Sequence, residues 1–298
     1  MTLLPGRLAG PGTWLLAATV AVGDVTLVAR LKPETVAAWN AYVAAVEARR
    51  AAERKDSRRF LVMDFQPDAA ADRKTILSGG IVARRMEGAA TGAAHVDVPS
   101  GRIHHWRGAV FIAGPTVPEL LARIEQSDPP AIQDDVIRSS VLRRQPGAVH
   151  VFLRLQRTKI VTAVYNSEHD VRFELIGPTR AASASLSTKI AEIRNPGTAG
   201  EVELPQGDDR GFLWRLNGYW RYEAAPGGVI AECESLSLSR DVPALVDLIV
   251  GGMINGTARE AMEKTLEAIR RRYGSGTTGA TGATGPRNDL TRAILFSA

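Results

Sequence analysis

The sequence predicts an α+β fold, a curved antiparallel sheet whose apolar face is covered by a long C-terminal helix. Two observations carry this expectation. From Val136 to Ser239 strand signals follow one another with only Gly, Pro, Asn and Asp clusters between them. A helical stretch from Asp241 to about Tyr273 then places Ala258, Met262, Leu266 and Ile269 on a single apolar stripe, with Arg, Glu and Lys opposite. A sheet with one apolar face needs a cover, and that helix supplies it.

The elements follow in order. Lys32-Pro33-Glu34 opens a helix running to about Lys55, with proline in its first turn and Glu34 at the positive end of the dipole. Val36, Trp39, Asn40, Val43 and Val46 recur at helical spacing along it. Strands are expected at Phe60 to Phe65, Ile76 to Met86 and Arg102 to Ala113. Thr116 with Glu119 is a capping-box pattern that starts a shorter helix ending near Gln126. Further strands are expected at Val136–Leu142, Ala148–Leu155, Ile160–Ser167, Val171–Ile176, Ala184–Ile193, Phe212–Glu223 and Val229–Ser239. Gly251-Gly252 and Asn255-Gly256 predict a kink or break within the final helix. The Gly-Ala-Thr triplets from Gly276 onward read as a flexible tail, too few for a collagen helix.

Composition bounds the function classes. The chain has 298 residues, of which 45% are apolar and 23% charged, so it can form a core without a staple. A single cysteine excludes an intramolecular disulfide and every cysteine-based zinc or iron–sulfur site. No apolar run reaches the length of a membrane span. The net charge of +5 is spread over scattered pairs such as Arg49-Arg50, Arg84-Arg85 and Arg143-Arg144. Such pairs favour solubility and weak attraction to anionic membrane surfaces, whereas a nucleic-acid reader would show a dense stripe or a motif. Arg7 followed by the apolar run Trp14 to Val22 reads as an export signal cleaved before Asp24, and alternatively as a first buried strand. The expected organisation is a signal peptide over 1–23, a helical segment over 24–74, the main domain over 75–273 and a tail over 274–298.

The segments Gly211-Phe-Leu-Trp-Arg-Leu-Asn-Gly-Tyr-Trp-Arg-Tyr, Cys233-Glu-Ser-Leu-Ser-Leu-Ser-Arg-Asp-Val-Pro and Ile103-His-His-Trp-Arg-Gly-Ala-Val-Phe-Ile-Ala-Gly resemble a group of bacterial START-like proteins. These fall in the broad class of lipid-transfer START domains, the Bet v 1 fold and polyketide cyclases. The resemblance covers roughly residues 75 to 272. It implies a helix-grip fold with a hydrophobic cavity between sheet and C-terminal helix. The class has no universal catalytic motif, so a cavity is implied and an active site is not.

Enzyme signatures are absent from the sequence: no GxSxG, HExxH, GxxxxGK[ST] or GxGxxG occurs. His104 and His105 are adjacent on a strand and point to opposite faces, so they cannot share a metal ion. His104 shares the inner face with Trp106, Val110 and Ile112, while His105 shares the outer face with Arg107. Phe212, Trp214, Leu216, Trp220 and Tyr222 alternate inward, and Arg215, Asn217, Tyr219, Arg221 and Glu223 outward. A loop at Ala225-Pro226-Gly227-Gly228 sets Tyr222 opposite Ala231, Trp220 opposite Cys233 and Arg221 opposite Glu232. Cys233 is expected to lie inward and inert, and the serines at 183, 185, 187, 235, 237 and 239 at the strand surface.

The candidate ligand-binding residues are His104, Trp106, Trp214, Trp220, Tyr222 and Met253, with no catalytic residue, cofactor or metal ligand. The leading expectation is non-enzymatic binding of a lipid-like or other hydrophobic small molecule between sheet and helix. Its competitors are a cyclase- or aromatase-like enzyme using the same cavity, and a structural envelope protein with a filled core.

Overall fold

The computed structural model describes residues 29–128, 136–158, 162–241 and 244–275, and for 244–258 the backbone only. The export segment 1–23, the tail from residue 276 and the side chain of Met253 lie outside the described residues.

The core of the fold is a nine-stranded antiparallel sheet. Its strands are β2 (Ile81–Arg85), β3 (Gly101–Ala113), β4 (Val136–Gln145), β5 (Ala148–Thr158), β6 (Thr162–Gly177), β7 (Arg180–Arg194), β8 (Val202–Glu203), β10 (Arg215–Ala225) and β11 (Gly228–Arg240). They lie in the order β2-β3-β11-β10-β7-β6-β5-β4, with β8 paired to β7. A separate ribbon pairs β1 (Ala29–Arg30) with β9 (Asp208–Asp209). The helices are α1 (Pro33–Glu53), α2 (Ala69–Leu77), α3 (Val117–Glu125) and α4 (Ala244–Tyr273).

One face of the sheet curls around α3 and α4. Val110, Ile112, Val151, Leu153, Leu216, Trp220 and Tyr222 from across the sheet form one cluster with Leu120, Ile124, Met262, Leu266 and Ile269. Met262, Leu266 and Ile269 of the stripe read from the final helix are thus buried. Gly108 lets α4 approach closely, because a Cβ there would fall 2.6 Å from Met262 Cγ and 2.8 Å from Leu266 Cδ1. Asp241 N–H donates to Ser100 O at the start of β3, and Ser275 N–H to Ala113 O at its end. The last helix therefore runs the length of β3. This is the helix-grip arrangement.

The predicted hairpin register holds: Trp220 opposes Cys233, Tyr222 opposes Ala231 and Arg221 opposes Glu232. Its turn is tighter than expected, since Ala225 and Gly228 pair and leave Pro226-Gly227 as the turn, with Gly227 at φ +80. Thr116 caps α3 by the predicted box, accepting from Glu119 N–H while the Glu119 carboxylate accepts from Thr116 N–H at 2.8 Å.

Several expectations are corrected. Phe60 to Phe65 is no strand: Val62–Phe65 is a single 3₁₀ turn. Its backbone donors are taken locally, because Asp64 accepts from Phe60 and Leu61 N–H at 3.0 and 2.9 Å, and Glu232 accepts from those of Val62 and Met63. The stretch Ile76 to Met86 divides into the end of α2 and the strand β2, with Gly79 at φ +90 between them. The two strands expected over 160–176 are one, β6, carrying a register shift at Glu168/His169. Helix α4 runs unbroken through Gly251-Gly252 and Asn255-Gly256. A helical glycine costs about 1 kcal/mol relative to alanine, which lowers stability without forbidding the turn.

The largest departure is the outer face, which is covered by α1, the 3₁₀ turn and α2. The buried stripe of α1 is Thr35, Trp39, Tyr42, Val46, Arg50 and Glu53, apolar at first and charged in its last turns. Tyr42 donates to or accepts from His105 Nδ1 at 2.9 Å, and His105 Nε2 meets Glu234 at 2.7 Å. Arg49 and Arg50 both bond the Glu234 carboxylate, Arg50 at 2.6 Å. Arg221 reaches Glu53 at 2.8 Å and Phe60 O at 2.7 Å, while Arg107 reaches Asp72 at 2.9 Å. Each carboxylate must find its guanidinium, so the pairs define where α1 and α2 sit on the sheet.

Glu232 behaves differently from its neighbour Glu234. Burial pushes its carboxyl up to about 7, against the pull of Arg107 and Arg221. A carboxyl raised in the folded state stabilises below its unfolded value of 4.5 and loses that contribution as the pH climbs toward 7. The contribution is about 3 kcal/mol. Thermal unfolding between those pH values is expected to show a steeper decline for the wild type than for Glu232→Gln; equal slopes would contradict the assignment.

Candidate functional site

The concave face changes character along its length. Toward the C-terminal end of β3 it is apolar: Val110, Ile112, Ala231 and Tyr222 pack under Met262, Leu266, Ile269 and Tyr273. Trp220 and Tyr222 lie with near-parallel rings, 6.1 Å between centroids. Toward the other end the lining is small and polar. Trp106 opposes Ser235, which opposes Gly218, which opposes Ser185, which opposes Val171. The adjoining row runs from Gly108 through Cys233 and Trp220 to Ser183. On the other side lies the pair His104–Ser237. Glycine, serine and cysteine leave this part of the sheet short of side-chain volume, and the backbone of α4, followed back from Met262, runs toward it.

Among the described residues, Trp106 Nε1, Ser185 Oγ and Tyr165 Oη are buried on this face without a hydrogen-bond partner. An unmet buried donor or acceptor costs about 1–3 kcal/mol. Nearby polar groups do have partners. His169 Nε2 meets Ser167 Oγ at 3.1 Å, His104 Nε2 meets Ser239 Oγ at 3.1 Å, and Ser183 Oγ lies 3.4 Å from the Tyr222 hydroxyl. Burial pushes the His169 imidazole down to about 3, with His150 adding to the effect. Burial raises the Tyr222 hydroxyl well above its ordinary value, as it does that of Tyr165, where the carboxylates of Glu192 and Asp209 add to it.

Of the residues singled out in the sequence, Trp106, Trp220 and Tyr222 join one cluster. His104 is half-buried on the same face. Trp214 does not join them and is a correction to the inward alternation. Strand β10 begins only at Arg215, and the chain turns at Gly211, φ +73. The Trp214 indole N–H donates to Asp209 Oδ1 at 3.0 Å, and the ring packs with Trp39, Tyr42 and Val46 on the opposite face. Phe212 is exposed, with the guanidiniums of Arg210 and Arg240 at 5.2 and 5.5 Å from its ring. Met253 lies on α4.

The serines are a second correction. Ser183, Ser185, Ser235 and Ser237 are buried, not at the surface. A signal for this was present: the alternation that turns Cys233 and Ala231 inward turns Ser235 and Ser237 inward as well. Tyr165, Ser167 and His169 were not singled out, although they alternate onto one face of β6, opposite Leu155, Leu153 and Val151. Among the described residues no group of His, Cys, Asp or Glu is arranged to hold a metal ion. An open cleft of about 740 Å³ lies elsewhere, between α3 and the end of α4, lined by Gly114, Glu119, Arg123, Arg272 and Tyr273.

No family model matches the chain, and no curated protein matches it significantly. Solved structures of START superfamily proteins are similar to it at low identity. A STAR-related lipid transfer protein from Xanthomonas axonopodis aligns at 16% identity and TM-score 0.41, over 59% of this chain and 95% of that one. A human lipid transfer and protein localization domain aligns at 10% and 0.38, over 74% and 100%. The di-domain aromatase/cyclase StfQ of the steffimycin pathway aligns at 11% and 0.38; the match takes in 60% of this chain and about half, 52%, of that one.

Proposed function

We propose that the protein holds an apolar small molecule with a polar head, of the lipid-like class, on the concave face beneath the first half of α4. The observation that carries this reading is the coincidence of small side chains with unmet polar atoms. Trp106 Nε1 and Ser185 Oγ offer hydrogen bonds where the sheet contributes little bulk. An apolar chain would gain from leaving water, and the polar atoms would orient it. Chemistry on the ligand is disfavoured by the protonation behaviour. An imidazole with a pKa of about 3 and hydroxyls raised above their usual value are poorly matched to proton transfer near neutral pH. Binding without transformation is the reading these groups support.

Ser185→Leu separates this from a filled core. Where ligand space exists, leucine enters it, removes an unmet hydroxyl and leaves the melting temperature nearly unchanged. Affinity for 1-decanol, followed by the indole emission to which Trp106 contributes, then falls by about tenfold or more. Where the space is filled by protein, leucine overpacks at a cost of about 1–3 kcal/mol and neither variant responds to decanol. The second pattern overturns the proposal.

A further inference from the structure

Where α3 meets the end of α4, two arginines line the open cleft without a carboxylate partner. Arg123 Nη1 and Nη2 donate to Tyr273 O at 3.3 Å and Arg272 O at 3.4 Å, which caps the last carbonyls of α4. Arg272 Nη2 reaches only Ser127 Oγ, at 3.5 Å. Both guanidiniums lie by the buried Tyr273 ring, 5.1 and 5.7 Å from its centroid, and the Tyr273 hydroxyl bonds Ser127 Oγ at 2.9 Å. Arginines elsewhere in the fold are bound differently: Arg50, Arg107, Arg154 and Arg221 each reach a carboxylate at 2.9 Å or less. Among the described residues neither Arg123 nor Arg272 forms an ion pair. The acidic residue of the cleft wall, Glu119, is taken up by Thr116, whose N–H and hydroxyl both donate to it at 2.8 Å. Those bonds, with the charge of Arg123 adding to them, hold its carboxyl below the ordinary value.

We propose that this cleft is a binding site for a phosphate monoester, held as its dianion by Arg123 and Arg272. A guanidinium carries five N–H donors in a planar fork. Arg123 uses two of its donors and Arg272 one, so both keep donors for a ligand. The three terminal oxygens of a phosphate monoester can meet both forks at once, whereas the two of a carboxylate fill one. A dianion also suits the charge balance, since two cations and the single carboxylate of Glu119 line the cleft. Arg144, which donates to Ser127 O at 3.2 Å, adds a further positive charge beside Ser127. The volume of about 740 Å³ leaves room for the rest of the ester. The site does not depend on the concave pocket, which is proposed beneath the first half of α4.

The experiment measures binding of glycerol 3-phosphate and of acetate by isothermal titration calorimetry, at fixed ionic strength because salt screens such contacts. A second arm measures co-sedimentation with phosphatidylcholine vesicles with and without phosphatidic acid, which carries the same group on a lipid. The wild type is expected to bind the ester about tenfold or more tightly than acetate at pH 8. Its affinity should fall at pH 5, where the ester, with a second pKa of about 6, is a monoanion. Arg272→Gln is expected to weaken binding by about tenfold with the melting temperature unchanged, because Arg272 has one long hydrogen bond to lose. Arg123→Lys keeps the charge without the fork and should weaken it severalfold. Since Arg123 also caps α4, Arg272→Gln carries the test. Binding of glycerol 3-phosphate that Arg272→Gln weakens supports the site with a soluble ester as its source. Binding to phosphatidate vesicles alone, lost in Arg272→Gln, supports it with a membrane as the source. Binding that both variants leave unchanged overturns the site, as does acetate bound as tightly as the ester, or no binding in either arm. None of these results bears on the concave pocket.

Discussion

Glu234→Ala is expected to cost about 3–5 kcal/mol of folding stability, the range for breaking a buried ion pair from one side. Its carboxylate is fully buried and receives His105, Arg49 and Arg50 at once. Removing it leaves Arg50 and His105 without their carboxylate between α1 and the sheet, while Arg49 keeps Glu53 at 2.7 Å. The melting temperature should fall by roughly 6–20 °C, on the scaling of domains of this size. Burial works against ionisation of Glu234, but the hydrogen bond from His105 and the charges of Arg50 and Arg49 hold it below the usual carboxylate range. Its contribution is therefore present above the unfolded value of 4.5 and lost as the pH falls through the folded one. A wild-type-like melting temperature for Glu234→Ala, or equal acid sensitivity of the two proteins, would contradict the buried network.

Leu266→Asp is expected to be at least as damaging. Leu266 is fully buried among Met262, Ile269 and the cleared space over Gly108. Truncating a buried leucine alone costs about 2–5 kcal/mol, and a carboxylate with no partner there adds its desolvation. Leu266→Met, which keeps the volume, should cost less than about 1.5 kcal/mol. Thermal or urea unfolding of the pair checks this. Equal loss in both would show that position 266 is sensitive for a reason other than contact with β3.

Particular residues show what could be read from the sequence and what could not. The hairpin register was legible because two patterns agree: large inward side chains at 220 and 222 meet small ones at 233 and 231, and Arg221 meets Glu232 on the other side. The grip of α4 was legible because one apolar stripe has one surface to cover. The covered outer face was not. Arg49, Arg50 and Glu53 at a helix end, and Arg107, Glu232 and Glu234 alternating with apolar residues, have the pattern of a solvated surface. Their burial follows from pairing between segments distant in sequence, as with Arg50 and Glu234, and no local periodicity records it.

The candidate site was half legible for a related reason. Trp106, Trp220 and Tyr222 were found by strand alternation, which holds wherever the strand is regular. Trp214 was misplaced because alternation was extended past the start of β10 at Arg215, into residues 212–214 that are not strand. Ser185 and Ser235 were passed over because serine on a strand is read as solvent-facing, whereas here it lines a buried row.

Native mass spectrometry of the purified wild-type protein beside Ser185→Leu tests the central claim most directly. The expected result is a stoichiometric adduct of an apolar molecule with the wild type, co-purified or formed on adding 1-decanol, and its loss in Ser185→Leu with the fold intact. A wild-type protein that stays at its bare mass with every apolar ligand offered, and a Ser185→Leu variant that is destabilised by overpacking, would contradict it.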